Sequence, residues 1–142
     1  LIMHTPIQFY VTLPFDLFRL GRKTKAKFDY IRTTPPREEE QTWDVRVYKK
    51  NDIDFVDSKS GGLSLFNYRN PKFGTLWWKL PAKSKMPQGL HVSLDDGGSL
   101  GKNHFTIRPL YDMPVTLYLD KLNQLDSMAI PCFIGIPNKD VG

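Results

Sequence analysis

The chain has 142 residues, enough for one domain of ordinary size, and its hydrophobic fraction of 40% and charged fraction of 25% argue for a globular fold and against a disordered tail. No run of about 18 apolar residues occurs, which excludes a helical membrane span from the expectation. Lys and Arg total 20 against 15 for Asp and Glu, so the net charge is +5; this suits an anionic partner, whether nucleic acid, phosphorylated small molecule or membrane surface.

Residues 1–14 are fairly apolar but have no leading cationic stretch, so they read as an N-terminal extension and not as a clear signal peptide. The next strand is expected over Phe15 to Leu20, with Phe15, Leu17 and Arg19 on one face and Asp16, Phe18 and Leu20 on the other. A basic run from Gly21 to Lys27 follows, then a surface loop with Pro35, Pro36 and Glu38 to Glu40, where three adjacent carboxylates read as a solvated charge run. Thr42 to Lys49 alternates as a strand. Gly61 and Gly62 turn into a strand in which Leu63 and Leu65 face the core and Ser64 faces away. Thr75 to Leu80 is another strand, with Trp77 and Trp78 on opposite faces. Leu90, Val92 and Leu94 alternate with His91, Ser93 and Asp95, and Phe105 and Ile107 alternate with His104, Thr106 and Arg108. One helix is expected after Asp112, its candidate cap, with Val115, Tyr118, Leu119, Leu122 and Leu125 in a stripe. Residues 127–142 read as a short strand and tail. Eleven prolines and ten glycines keep the segments short, so strands dominate and the fold class is α+β.

Several chemical motifs fail. The run Gly97-Gly98-Ser99-Leu100-Gly101-Lys102 has three residues between its flanking glycines where a phosphate loop has four, and Asn103 replaces the magnesium-binding hydroxyl. It reads as a hairpin turn. The histidines His4, His91 and His104 match no zinc spacing, and the single cysteine, Cys132, lies in an apolar run that suits packing. No metal site is expected. His91 and His104 could meet across strands as an acid and base. Trp77, Trp78 and the lysines at 79, 83 and 85 could hold single-stranded nucleic acid, although aromatics in strands more often belong to a core.

Three pieces occur in a telling order: Phe18-Arg19; Gly61-Gly62-Leu63-Ser64-Leu65-Phe66; and Leu80-Pro81 with Met86-Pro87-Gln88-Gly89-Leu90-His91-Val92, followed by His104-Phe105-Thr106-Ile107-Arg108-Pro109. Met113 and a leucine-bearing helix complete the order. Together they resemble the ADP-ribosyltransferase-like toxin domain typified by the type VI secretion effector "type six exported two", which also has fungal relatives. The resemblance covers residues 15–126 and implies a split β-sheet that cradles NAD, as substrate, in a central cleft. It implies that Ser64, His104 and Thr106 are catalytic and that Arg19, Phe18, Ser64, Tyr68 and Trp78 bind NAD. Arg19 would meet the pyrophosphate with bidentate donors. Tyr68 and Trp78 would stack on nicotinamide.

The strand His104 to Arg108 departs from the wider superfamily, which usually carries a glutamate there to stabilise the sugar cation. A neutral His104 would position a ribose hydroxyl or the attacking group. Asp95, Asp96 and Glu38 to Glu40 are the acids that could substitute. The implied function is a toxin acting in a cytoplasm, transferring ADP-ribose to an unknown protein or nucleic-acid target or hydrolysing NAD, with an immunity protein as a further partner. Two other readings stand beside it: a nucleic-acid binder or metal-free ribonuclease using His91 and His104, and an interaction module that kept the fold and lost activity.

Overall fold

The computed structural model describes residues 5–35, 42–96 and 104–135. Glu38 to Glu40 and the glycine-rich run 97–102 lie outside the described residues. The protein is a mixed α+β fold with few helices: ten strands, β1 (Thr5–Tyr10), β2 (Leu17–Leu20), β3 (Val47–Lys50), β4 (Ile53–Val56), β5 (Leu63–Phe66), β6 (Trp77–Leu80), β7 (Leu90–Asp96), β8 (His104–Pro109), β9 (Met113–Pro114) and β10 (Ile130–Pro131), and one helix, α1 (Val115–Asn123), among the described residues. A 3-10 turn over Gln124–Met128 extends the helix. No helix among the described residues is long and apolar enough to cross a membrane.

Seven strands form the main sheet in the order β1-β7-β8-β5-β2-β6-β10, and β3, β4 and β9 form a second sheet. Residues 5–10 were expected as part of an extension. They pair antiparallel with β7 and form an edge strand of the main sheet. The β3–β4 hairpin was not expected as such. Its turn residues Asn51 and Asp52 both have positive φ, 52° and 63°, the pattern of the two-residue turn that matches strand twist.

The two faces of the main sheet differ in chemistry. Leu63, Leu65, Phe105, Ile107, Leu90 and Val92 point to one face and are buried with Tyr118, Leu122 and Leu125 of the helical segment. The expected helical stripe is the face that packs, because residues three and four apart share a side. The expected cap is different: the residue before α1 is Pro114, with no side-chain cap. Asp112 instead accepts hydrogen bonds from the Tyr48 hydroxyl and from the Ser58 N–H, which draws it toward the second sheet.

Tyr118 clasps the two strands that carry the candidate site. Its hydroxyl donates to the Ile107 carbonyl at 2.6 Å and accepts from the Leu63 N–H at 3.2 Å. Gly62 allows this approach: a Cβ there would stand 2.0 Å from the Ile107 carbonyl oxygen and 2.8 Å from the Tyr118 hydroxyl. Backbone cannot yield as a flexible side chain can. Gly62→Ala is therefore expected to lower stability by about 3 kcal/mol, read from urea denaturation, and a loss under about 1 kcal/mol would show that β5 can shift freely.

The main sheet is nearly divided in its middle. β5 and β8 pair over four residues, and β2 and β6 over four, but β2 and β5 pair only at Phe18 opposite Phe66. Beyond that pair the two halves diverge. Arg19 stands at this fork, on the β2 side.

Candidate functional site

Register places polar side chains on the face away from the core. Ser64 is opposite Thr106, and Thr106 is opposite Ser93 on its other side. His104 and Asp95 lie one row further along. The result is a chain of hydrogen bonds across three neighbouring strands. His104 Nε2 is 3.0 Å from Ser64 Oγ, and His104 Nδ1 is 2.8 Å from Asp95 Oδ2. The Thr106 hydroxyl also donates to Asp95 Oδ2, the Ser93 hydroxyl donates to Asp95 Oδ1 at 2.6 Å, and Arg108 Nη2 is 3.5 Å from the same Oδ1.

Asp95 is fully buried, with 0% exposure. Burial by itself pushes its pKa up, but the hydrogen bonds from His104, Ser93 and Thr106 outweigh it and hold the carboxyl below its ordinary 3.8. Asp95 is thus ionised at neutral pH and can only accept. His104 Nδ1 must then carry the proton it donates, and in neutral imidazole Nε2 becomes the acceptor for the Ser64 hydroxyl. The carboxylate fixes the tautomer. With the imidazole neutral, the Ser64 hydroxyl donates to Nε2 and its lone pairs are left for other donors.

Ser64 was expected on an open solvent face. It is only half-buried, but its neighbours are covered: His104 and Thr106 are each 3% exposed. Phe66 packs edge-on to His104 at 5.5 Å and edge-on to Trp77 at 6.0 Å. Trp77 thus belongs to this second, aromatic cover and not to the main core cluster.

Arg19 approaches from the other half of the sheet. Its Nη1 donates to the Ser64 carbonyl at 3.1 Å and its Nε to the Lys27 carbonyl at 2.6 Å. The guanidinium fills the gap that opens beyond the Phe18–Phe66 pair, and it caps the backbone of the very residue whose hydroxyl meets His104. Removal from water pulls its pKa from 12.5 down to about 10, against a partial offset from Asp44. Asp44 is already held by Arg32, through Oδ1 at 2.7 Å and Oδ2 at 3.2 Å. Among the described residues no carboxylate contacts Arg19. Its contacts are neutral groups, two carbonyls and the Phe28 ring, so its charge favours any anion that reaches the fork.

The structure brings Ser64, His104 and Thr106 into one network and sets Phe18 and Arg19 at the adjoining fork, Phe18 on the network's face and Arg19 opposite Trp78 on the core side, its guanidinium over the Phe28 ring and in reach of the network only through the Ser64 carbonyl. Trp78 is not part of the network. It faces the core at 8% exposure, donates its indole N–H to the Arg22 carbonyl at 2.7 Å, and packs edge-on to Phe133. The expected nicotinamide platform is a packing residue, because the alternation that sends Trp77 to the polar face sends Trp78 to the apolar one. Tyr68 lies in the exposed loop after β5, where its hydroxyl accepts from Asn70 Nδ2 at 3.2 Å. His91 does not meet His104. It is opposite Arg108, four residues along β8 from His104, or roughly 13 Å at strand rise. The acid–base pair proposed for a ribonuclease is therefore not assembled. Cys132 is half-buried, with its N–H on the Trp77 carbonyl.

From the sequence Asp95 is one of several candidate acids, and nothing there singles out Ser93 or Arg108, which the structure adds to the site. The alternation of His91, Ser93 and Asp95 opposite His104, Thr106 and Arg108 was the available signal.

No model of a known protein family matches the chain, and no curated protein matches it. Its chemistry must be read from the site. A Ser–His–Asp order is also the order of acyl-transfer hydrolases. Those enzymes place the serine on a strained strand-to-helix turn beside backbone N–H donors. Ser64 is in mid-strand, paired to Thr106, so the arrangement favours a hydroxyl that is oriented and polarised over one that attacks an acyl group.

Proposed function

We propose that the fork between β2 and β5 binds NAD and that the protein is an ADP-ribosyltransferase-like toxin enzyme, the near-division of the sheet being the split of that fold. The observation that carries this reading is the pairing of two features on Ser64: its carbonyl is held by an arginine that no carboxylate contacts among the described residues, and its hydroxyl is held by a histidine that a buried carboxylate orients. In this reading the pyrophosphate lies against Arg19, with bidentate, charge-assisted hydrogen bonds. The nicotinamide ribose lies over Ser64.

The reaction breaks the bond between the nicotinamide nitrogen and ribose C1′. Nicotinamide leaves with the bonding pair, and positive charge builds on the sugar. Ser64 Oγ has its proton engaged by His104 Nε2, so its lone pairs accept a ribose hydroxyl proton in a hydrogen bond. That enriches the sugar oxygen and favours the developing cation. A target nucleophile or water then bonds C1′ and gives up its proton to solvent or to a base of the target. Neutral His104 does not oppose the cation, and the ionised Asp95 behind it adds favourable charge. The relay thus takes the part that a late-strand glutamate plays elsewhere in the superfamily. The excess of basic residues suits an anionic macromolecular target, and a neutralising protein is the expected further partner.

The test is nicotinamide release from NAD by the purified chain. Ser64→Ala is expected to reduce release by about 100-fold while NAD still binds, since a lost transition-state contact of roughly 2.7 kcal/mol acts on the chemical step. If wild type and Ser64→Ala release nicotinamide at the same background rate and neither binds NAD, the reading fails and the interaction-module reading replaces it.

A further inference from the structure

The polar face of the sheet has a concavity at the opposite end of β7 and β8 from His104. It is a cavity of about 280 Å³ whose lining includes Pro6, Phe9, Ser58, Lys59, His91 and Arg108. No carboxylate lines it among the described residues. We infer that this cavity is a binding site for a phosphate monoester on a small aromatic-bearing molecule, in class a mononucleotide, separate from the fork.

Charge is the first argument. Lys59 is exposed, and its ammonium makes no ion pair among the described residues. Arg108 is 5% exposed and held in place from behind, with Nε donating to Ser93 Oγ at 2.8 Å and Nη2 shared with Asp95. His91 is opposite Arg108 across the strands and adds a ring N–H. Three nitrogen-bearing side chains thus border one small space. Two of them stand on β7 and β8, and the third comes from the turn before β5. Rigid elements at fixed spacing favour recognition of a compact anion.

Shape is the second argument. Phe9 stacks on His91 with ring centroids 4.6 Å apart and planes 16° from parallel, yet Phe9 remains 51% exposed. One ring face is occupied by the imidazole, and exposed ring surface stays available for a planar group. The cavity is at the small end of ligand pockets. It has room for a phosphate and sugar and is too small to enclose a dinucleotide. This distinguishes its ligand from the one proposed at the fork.

The experiment titrates the full chain with AMP, and separately with adenosine, by calorimetry and by the imidazole resonances of His91. AMP is expected to bind and to shift those resonances, and adenosine at the same concentration is expected not to. Lys59→Ala and His91→Gln should each weaken AMP by about tenfold, the size of one lost charge-assisted hydrogen bond. Arg19→Lys should leave AMP affinity unchanged. Lys59 is exposed, so its variant folds whatever its role; unchanged melting temperature confirms that any loss is local. The inference is overturned if AMP does not bind, if adenosine binds equally, or if AMP affinity depends on Arg19 and not on Lys59 and His91. It does not depend on the NAD reading: a chain that fails to bind NAD can still bind AMP here.

Discussion

Asp95→Asn is expected to lower the stability of the fold by about 3–5 kcal/mol, the usual cost of breaking one partner of a buried charge pair. The reason is the count of donors. His104 Nδ1, the Thr106 and Ser93 hydroxyls and Arg108 all converge on this one carboxylate. An amide offers one accepting oxygen and turns an N–H₂ toward donors, so at least one buried donor loses its partner and Arg108 loses its buried counter-charge. Urea denaturation at pH 7 reads the loss directly.

The same substitution should change the acid limb of the stability profile. The folded-state pKa of Asp95 is depressed below 3.8. The stabilisation it gives is therefore fully present above about pH 4 and is lost as pH falls through the depressed folded value. Wild-type stability should fall through that acidic range, and the Asn variant should fall less because this carboxyl no longer titrates. If the variant lies within about 1 kcal/mol of wild type and keeps the same acid profile, Asp95 is not the hub of the network. Activity gives a further reading: without the carboxylate, His104 is free to carry its proton on Nε2, which leaves Ser64 without its acceptor.

The parts of this site that were legible in the sequence are those set by alternation within one strand. Leu63 and Leu65 send Ser64 to the far face, and Phe105 and Ile107 send His104, Thr106 and Arg108 there together. Period two is local, so it can be read without knowing the partner strand. The helix stripe from Val115 to Leu125 was legible for the same reason. What was not legible depends on register between strands. Whether Asp95 or Ser93 falls beside His104 is decided by the β7–β8 pairing, and a slip of one residue would reverse which side chains share the face. The fork is still less local, since it requires β2 and β5 to meet at one pair only, with 47 residues between Phe18 and Phe66 in the chain. Asp112 shows a different failure. Its position suited a helix cap, but Tyr48 on the neighbouring sheet and Ser58 in the turn after β4 offered it better donors, and tertiary contacts overrode the local preference.

Arg19→Lys separates a structural role for the fork arginine from an anion-binding one. The guanidinium meets two carbonyls from different segments, Lys27 through Nε and Ser64 through Nη1. A lysine ammonium is a compact point charge and cannot span both with the same fixed geometry. The expected stability loss is about 1–2 kcal/mol, that of one or two hydrogen bonds to carbonyls. The expected loss of NAD affinity is larger, about 100-fold, because a bidentate contact to a phosphate depends on the planar fork and each tenfold step corresponds to about 1.4 kcal/mol. Thermal shift distinguishes the two effects in one measurement. NAD at 100 times its Kd should stabilise wild type by about 2.7 kcal/mol, and the same concentration should stabilise Arg19→Lys by only about 0.4 kcal/mol. Arg19→Met sharpens the contrast. It removes a buried cation that no carboxylate contacts among the described residues, so part of the lost hydrogen bonding is offset by the desolvation no longer incurred. A variant that keeps most of its stability and gains none from NAD identifies Arg19 as held in the fork for a ligand's charge. A variant that collapses, while Arg19→Lys still binds NAD as wild type does, identifies it as a backbone clamp alone.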